Sequence, residues 1–173
     1  IEAQLLRDTH GNTHVLGIRD CSVQRDKQKV IEESASTTLP EHLLQEVVRS
    51  TADIANEVGY VGAGTVEFIY DLAVDAVYFM EMNTRLQVEH PVTEEIIGKD
   101  LVREQIRVAE GETLSFTQDE ISINGHAIEA RLYAENPAKG FLPSPGPVLV
   151  WRPATAGGAR FDSGVEVGSE IST

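Results

Sequence analysis

A ten-residue segment in the middle of the chain carries side chains of the kinds that bind metal ions and anions. Every odd position in it is polar, in the order Glu81, Asn83, Arg85, Gln87, Glu89. Because successive side chains of a strand point to opposite faces, an extended segment would bring all five to one face. Glu81 and Asn83 then offer oxygen ligands about 6–7 Å apart, followed by donors and a carboxylate. This order suits a metal ion beside an anion, and the alternative is a surface row of paired charges.

Glu67 adds a third oxygen ligand to this pattern. It lies in a β-rich run, Thr65 to Tyr70, which we expect to pair with Ala76 to Met82 as antiparallel strands across a short loop. In that hairpin Glu67 could meet Glu81. Two carboxylates and an amide oxygen match the ligand preference of Mg²⁺. We therefore predict that Mg²⁺ or Mn²⁺ is bound by Glu67, Glu81 and Asn83.

A second polar stretch, Arg19 to Val30, contains six ionisable residues among its 12 and has a positive net charge. A local excess of Arg and Lys in an acidic chain could bind an anionic substrate. The alternative is a solvated loop. The charge pattern alone leaves both interpretations open.

Short strands and helices are predicted around these stretches. Runs Ala3 to Leu6 and His14 to Ile18 flank a loop with Gly and Asn, which is typical of a hairpin. An amphipathic helix should begin at Thr38-Leu39-Pro40-Glu41, with a hydroxyl cap and Pro at its first helical position, and close at Gly59. Two more helices are predicted, Thr93 to Ile97 and Asp100 to Glu110.

From Ile121 onward the pattern changes to short strands separated by Pro/Gly turns. A second, β-rich domain should begin near this point. The fold class is therefore α+β, with one domain over 1–120 and the start of another over 121–173.

The composition narrows the partners that the chain could have. Fourteen Lys and Arg oppose 28 Asp and Glu, so the formal net charge is -14. Such a charge repels nucleic acid and anionic membranes, and we expect neither as a partner. No apolar run is long enough to cross a bilayer, which indicates a soluble protein. Cys21, the single cysteine, cannot form an internal disulfide, so a reducing compartment is expected, and we interpret it as a small buried thiol.

Several runs of the sequence match one known family in order. The run Glu81 to Glu94 is highly specific, and Arg19 to Lys29 contains several further matches. Shorter matches are Gly59-Tyr60, Gly62 to Thr65, Gly125 to Arg131 and Phe141 to Gly146. In these runs the sequence closely resembles biotin carboxylase, an ATP-grasp enzyme that is the carboxylating component of biotin-dependent carboxylases. The resemblance implies the C-terminal part of an ATP-grasp domain followed by the start of the biotin carboxylase C-terminal domain.

The resemblance also implies roles for individual residues. Glu67, Glu81 and Asn83 match ligands of the Mg²⁺ that bridges to ATP phosphates, and Gln24 and Lys27 match positions near the nucleotide. Lys27 stands where many members have His, and Asp26 where a second Arg is common. The bicarbonate pocket is matched by Lys29, Arg85, Gln87, Val88 and Glu89.

Catalytic roles are implied for three of these residues, Lys29, Arg85 and Glu89. Glu89 matches the base that deprotonates bicarbonate for attack on the γ-phosphate of ATP, which gives carboxyphosphate. Arg85 matches the residue that stabilises the biotin enolate, and Arg131 a residue that contacts biotin or phosphate.

These matches favour an ATP-dependent ligase that carboxylates biotin on a carrier protein or domain. A carboxyltransferase subunit, a homo-oligomer of the full-length protein and a cytoplasmic location are expected, with the mitochondrial matrix as the alternative. Two other functions stay open: another ATP-grasp ligase such as carbamoyl-phosphate synthetase, and a non-catalytic assembly module. Because no Met opens the chain at Ile1 and the Gly-rich lid of the family is absent, we expect a fragment that is inactive alone.

Overall fold

The computed structural model describes residues 1–34 and 39–172, and these form two compact units, Ile1–Arg131 and the residues from Leu132 onward. The predicted cap at Thr38 lies outside the described residues. No helix among the described residues has the length and apolar character to span a membrane.

A six-stranded antiparallel sheet organises the first unit. Its strands are, in chain order, β1 Glu2–Arg7, β2 Thr13–Arg25, β3 Gln28–Ser34, β4 Gly62–Asp71, β5 Ala76–Asn83 and β6 Ile128–Ala130. Their order across the sheet is β5-β4-β1-β2-β3-β6. The β1–β2 and β4–β5 hairpins confirm the two predicted pairings. Strands β1 and β2 therefore lie between β3, which carries Lys29, and β4, which carries Glu67.

Three helices cover the two faces of this sheet: α1 Glu41–Glu57, α2 His90–Ile97 and α3 Leu101–Ala109. Val15 and Leu16 are successive residues of β2 and enter different apolar clusters, which places those clusters on opposite faces. Val47 of α1 packs in the cluster that contains Val15, and residues of α2 and α3 pack in the cluster that contains Leu16. The predicted α+β class is confirmed.

Local sequence signals account for most helix ends. Gly98 adopts a left-handed conformation, with φ 64°, and ends α2, as its position between the two predicted helices suggests. The Asp100 side chain caps α3 by accepting a bond of 2.8 Å from the Arg103 amide. Pro40 is the N-cap of α1 rather than its first helical residue, so that detail of the prediction is wrong.

The positively charged stretch from Arg19 to Val30 is a hairpin, and the solvated-loop interpretation is wrong. Strand β2 continues to Arg25 and β3 resumes at Gln28. The connecting residues Asp26 and Lys27 both have positive φ, 51° and 65°, as the tight two-residue turns of hairpins require.

Short paired strands and turns make up the second unit. Strand β7, Glu135–Asn136, pairs with β8, Leu142–Pro143, and β9, Gly146–Pro147, pairs with β10, Glu170–Ile171. Strand β6 belongs to the sheet of the first unit, so packing divides the chain after Arg131. The assignment of 1–120 and 121–173 to two domains stays a prediction.

We expect Gly64→Ala to destabilise the protein by about 1–3 kcal/mol, the usual cost of overpacking. A Cβ at this position would lie 3.1 Å from Tyr60 Cε1, 3.2 Å from Met82 Cε and 3.3 Å from the main-chain oxygen of Asn83. The backbone oxygen cannot move without shifting β5. Urea denaturation measures the loss of unfolding free energy. Gly164→Ala is the matched control because its Cβ meets nothing within 4 Å, and equal midpoints for both variants would contradict the packing argument.

Candidate active site

The three predicted metal ligands meet on the β4–β5 hairpin. Glu67 and Glu81 are direct partners across the two strands, and Asn83 pairs with Thr65 two residues further along. Asn83 Nδ2 donates to Glu67 Oε1 at 3.0 Å and to Glu81 Oε1 at 3.2 Å. A half turn of the amide would present Oδ1 to the same space. Two carboxylates and an amide within hydrogen-bond distance fit a Mg²⁺ or Mn²⁺ ion, whose ligands are oxygens.

The polar row does not continue as a strand, and that part of the sequence prediction is wrong. Strand β5 ends at Asn83, and the chain turns and enters α2 at His90 with Glu89 as the N-cap. Pro91 explains the change, since proline cannot donate to a strand ladder and is favoured in the first turn of a helix. The turn nevertheless returns Gln87 to the site, where its Nε2 donates to Glu67 Oε1 at 3.3 Å.

Lys29 is the centre of a buried ion cluster. Its Nζ donates to Glu89 Oε1 at 2.7 Å, to Glu67 Oε1 at 2.9 Å and to Glu2 Oε2. Burial would lower the pKa of Lys29, but its bonds and charge interactions with these carboxylates raise the pKa above its ordinary value. Glu89 is 1% exposed. The lysine therefore stays charged and links the base candidate to the metal-ligand candidate.

Arg131 holds the other side of Glu89. Its Nη2 lies 2.9 Å from Glu89 Oε2, and its Nε donates to Glu32 Oε1 at 2.6 Å. Arg131 follows β6, and β6 pairs with β3, which carries both Lys29 and Glu32. One antiparallel pairing thus brings residues about a hundred positions apart onto one carboxylate.

Two predicted pocket residues, Arg85 and Val88, are exposed. Arg85 Nη1 donates to the main-chain oxygen of Leu86 at 3.2 Å, and Val88 is 57% exposed. Arg85 lines an open groove on the surface together with Tyr60, Val61, Gly62, Ala63, Thr84, Leu86 and Gln105.

The two nucleotide candidates, Gln24 and Lys27, lie at the end of the β2–β3 hairpin. Gln24 Nε2 donates to the Cys21 oxygen at 2.8 Å, and both side chains are exposed. The described contacts therefore leave Gln24 and Lys27 outside the ion cluster.

Sequence reasoning missed a layer of buried residues behind Lys29. Arg19 is fully buried and donates to Glu2 Oε1 at 2.6 Å, to Gln4 Oε1 at 2.9 Å and to Thr93 Oγ1 at 2.7 Å. Burial would raise the pKa of Glu2, but the charges of Arg19 and Lys29 lower the pKa below its ordinary value. The available signal was a pair of opposite charges at the adjoining ends of the predicted hairpin, Glu2 before Ala3 and Arg19 after Ile18.

Cys21 belongs to this buried layer and is not a nucleophile by its environment. Burial raises the pKa of its thiol far above the ordinary value, with the Glu2 charge adding to the effect. Glu2, Cys21 and Glu89 have ligand atoms within 4.8 Å of one another. The Lys29 ammonium binds the carboxylates of both Glu2 and Glu89, so a positive charge of the protein already occupies the place of a metal ion.

Comparison with known proteins defines the class of this site. Residues 1–117 match the model of the carbamoyl-phosphate synthase L chain, ATP binding domain, and residues 129–173 match the biotin carboxylase C-terminal domain. The chain therefore belongs to the carbamoyl-phosphate synthase L chain ATP-binding family. The succession of the two matches is that of biotin carboxylase, which confirms the resemblance and the expected order of domains.

Individual relatives agree with this assignment. Biotin carboxylase 1 of Bacillus subtilis is 50% identical over 171 residues, which are 99% of this chain and 38% of that protein. The alpha subunit of the mitochondrial methylcrotonoyl-CoA carboxylase of Arabidopsis thaliana is 53% identical over 99% of this chain and 24% of its own length. The chain thus spans well under half the length of these relatives.

Two solved structures of relatives carry ligands of the expected kinds. The biotin carboxylase domain dimer of Hydrogenobacter thermophilus 2-oxoglutarate carboxylase, in complex with MgADP, ADP and bicarbonate, superposes with a TM-score of 0.92 at 45% identity over 99% of this chain and 38% of that one. Biotin carboxylase of Campylobacter jejuni, in a β-γ-ATP complex, superposes with a TM-score of 0.91. It is 42% identical over 98% of this chain and 37% of that one.

Proposed function

We propose that this chain forms part of an enzyme that uses ATP and bicarbonate to carboxylate biotin on a carrier protein or domain. The observation that carries the proposal is the convergence of Lys29 and Arg131 on Glu89, beside the Glu67, Glu81 and Asn83 cluster. Cations around a buried carboxylate suit an anionic substrate that must lose a proton. Two carboxylates and an amide beside them suit the metal ion of a nucleotide.

Glu67, Glu81 and Asn83 would hold the divalent ion, with Gln24 and Lys27 toward the nucleotide. When bound, Mg²⁺ neutralises charge that develops on the transferred phosphoryl group. Asn83 must release its bonds to the two carboxylates, and a half turn of its amide offers the oxygen instead. The positive charge of Lys29 beside Glu67 keeps the carboxylate from repelling the phosphates.

Bicarbonate would bind between Lys29, Arg85, Gln87 and the Val88–Glu89 segment. Glu89 removes its proton, and the resulting oxyanion attacks the γ-phosphate of ATP, giving carboxyphosphate and ADP. Carboxyphosphate breaks down to CO₂ and phosphate, and phosphate takes the ureido proton of biotin. Arg85 stabilises the biotin enolate that attacks CO₂, and Arg131 binds the phosphate or biotin. Binding and orientation by fixed cations are the means of catalysis.

The metal assignment predicts a specific loss of divalent-ion binding. Glu81→Gln in the full-length protein should weaken binding of Mn²⁺ with a non-hydrolysable ATP analogue by at least about tenfold, because a charged oxygen ligand is lost. Electron paramagnetic resonance of free Mn²⁺ measures the affinity. Asp71→Asn, at the far end of the same hairpin, is the control and should bind as the unmodified protein does. Equal affinity in Glu81→Gln and Asp71→Asn would remove Glu81 from the ligand set.

A second ligase activity is the nearest competitor, since the family of residues 1–117 takes its name from carbamoyl-phosphate synthase. The two functions differ in the acceptor of activated bicarbonate. Bicarbonate-dependent ATP cleavage by the full-length protein should increase with free biotin and not with ammonia. Stimulation by ammonia alone would favour the competing function.

Partners follow from the same proposal. A biotin carrier and a carboxyltransferase are required to deliver and use carboxybiotin, and a homo-oligomer is supported by the dimer of the Hydrogenobacter domain. We propose a cytoplasmic location. The mitochondrial matrix is the alternative, and the Arabidopsis relative is a mitochondrial protein.

A further inference from the structure

Two glutamates face each other at the edge of the ion cluster. Glu32 on β3 and Glu129 on β6 are direct partners across the antiparallel pair. Glu32 is fully buried, Glu129 is half-buried, and the Oε2 atom of each is shielded from solvent without a hydrogen-bond partner among the described residues. Like charges directly opposite each other in a strand pair are destabilising. Two such carboxylates are expected to ionise one at a time.

The surroundings decide which of the two keeps its proton. Burial raises the pKa of Glu32, and the Glu89 and Glu2 charges add to this, but the bond that Glu32 accepts from the Arg131 Nε at 2.6 Å opposes the rise and compensates its negative charge. Burial raises the pKa of Glu129 to about 7, and the charges of Glu32 and Glu89 act in the same direction, against the weaker effects of Arg131 and Arg19. These four charges act on Glu129 from β3, from the turn before α2, from its own strand end and from β2. Because Arg131 is bound to Glu32, the proton resides on Glu129 below about pH 7.

We propose that Glu129 is a positioning residue whose protonated form does not compete for Arg131, so that Arg131 can bind Glu32, Glu89 and an anionic substrate. This inference rests on the proposed function. The ion pairs of the cluster join three cations to four carboxylates. The cations are Arg19, Lys29 and Arg131, and the carboxylates are Glu2, Glu32, Glu67 and Glu89.

With Glu129 neutral, the cluster carries one excess negative charge, and ionised Glu129 would add a second. Ionised Glu129 would then repel an incoming anion. It would also compete with Glu32 and Glu89 for the Arg131 guanidinium. Thermodynamic linkage makes the effect reciprocal, so binding of the anion raises the affinity of Glu129 for its proton. Bicarbonate affinity should fall as Glu129 ionises.

The test compares the apparent KM for bicarbonate of the full-length protein and its Glu129→Gln variant between about pH 6 and pH 9, a range that brackets this ionisation. Glutamine imitates the protonated acid and cannot ionise. The ratio of the two KM values should be near one at the acidic end and should reach at least about threefold at the alkaline end, as expected for one added charge near the anion. Taking the ratio cancels the titration of bicarbonate itself.

Two further variants make the result specific. Glu129→Asp keeps a carboxyl and should restore the pH dependence of KM. Glu33→Gln changes the neighbouring acid, which pairs with His126 at 3.1 Å instead, and should follow the unmodified protein. A Glu129→Gln profile that follows the unmodified protein at every pH would overturn the inference.

Stability gives a readout that does not depend on activity. Because the folded-state pKa of Glu129, about 7, lies above its ordinary value of 4.5, the folded protein loses stability as pH rises between these values. Glu129→Gln lacks this loss, so its advantage in urea midpoint should grow over that interval. A constant difference would overturn the protonation of Glu129, whereas a wild-type protein without bicarbonate-dependent ATP cleavage would overturn the proposed function alone.

Discussion

Glu89→Gln in the full-length protein should lower biotin-dependent turnover by at least about a hundredfold while leaving ATP affinity nearly unchanged. Loss of a general base typically has an effect of this size. Glutamine keeps the shape of the side chain but cannot accept the bicarbonate proton. Arg85→Ala should have a comparable effect because the enolate loses its positive partner. Steady-state kinetics gives turnover, and equilibrium binding of an ATP analogue gives nucleotide affinity.

The separation of binding from chemistry is the decisive part of this prediction. Glu57→Gln is a suitable control, since Glu57 is an exposed residue at the end of α1 and should change neither quantity. A urea midpoint for each variant shows whether the protein is still folded. Equal losses of nucleotide affinity and turnover in Glu89→Gln and Arg85→Ala would place both residues in the wrong pocket.

Arg19→Met should cost about 3–5 kcal/mol of unfolding free energy, the usual loss when one partner of a buried ion pair is removed. Glu2, only 1% exposed, would be left undercompensated because it would share Lys29 with Glu67 and Glu89, and Gln4 Oε1 and Thr93 Oγ1 would each lose a charged donor. Urea denaturation near neutral pH measures this loss. In the double variant Glu2→Met/Arg19→Met much of the stability should return, because no buried charge is then left uncompensated.

An exposed ion pair provides the control for Arg19. Arg160 binds Asp162 at 2.9 Å, and the two side chains are 39% and 50% exposed, so Arg160→Met should cost no more than about 1 kcal/mol. The dependence of unfolding free energy on acidic pH is a second test of the buried cluster. The folded-state pKa of Glu2 is lowered from 4.5, so its contribution is present above pH 4.5 and is lost as pH falls further. If Arg19→Met and Arg160→Met lost equal stability, the buried cluster would contribute no more than a surface pair.

Local sequence signals were sufficient for the β1–β2 and β4–β5 hairpins and for the three α-helices, but not for the β2–β3 hairpin. Alternation of apolar residues predicts strands, and a short loop between two strands specifies their pairing. The register that places Glu67 opposite Glu81 depends on a β-bulge between Glu67 and Phe68, because regular pairing from Asp71 and Ala76 onward would place Glu67 opposite Met80. The resemblance to biotin carboxylase needed only the residues themselves, and the comparisons confirm it.

Local alternation failed where the chain stops being a strand. Glu89 was expected to share a strand face with Glu81, but it reaches the site through a turn and a helix start. The presence of Pro91 could have predicted that break. The approach of Gln87 to Glu67 at 3.3 Å could not be read from the same pattern, because it depends on how α2 packs against the sheet.

The sequence by itself determined the family, the kinds of side chain available for metal and anion chemistry, and the hairpin that carries the metal candidates. Only the tertiary structure decided which charges neutralise one another. Lys29, Glu2 and Glu89 come from three separate elements, and Arg131 and Glu32 meet because β6 pairs with β3. Long-range pairing sets burial and distance, and these set the strength of each charge interaction. The buried Arg19 layer and the proton proposed for Glu129 therefore emerged from packing, beyond the reach of any local pattern.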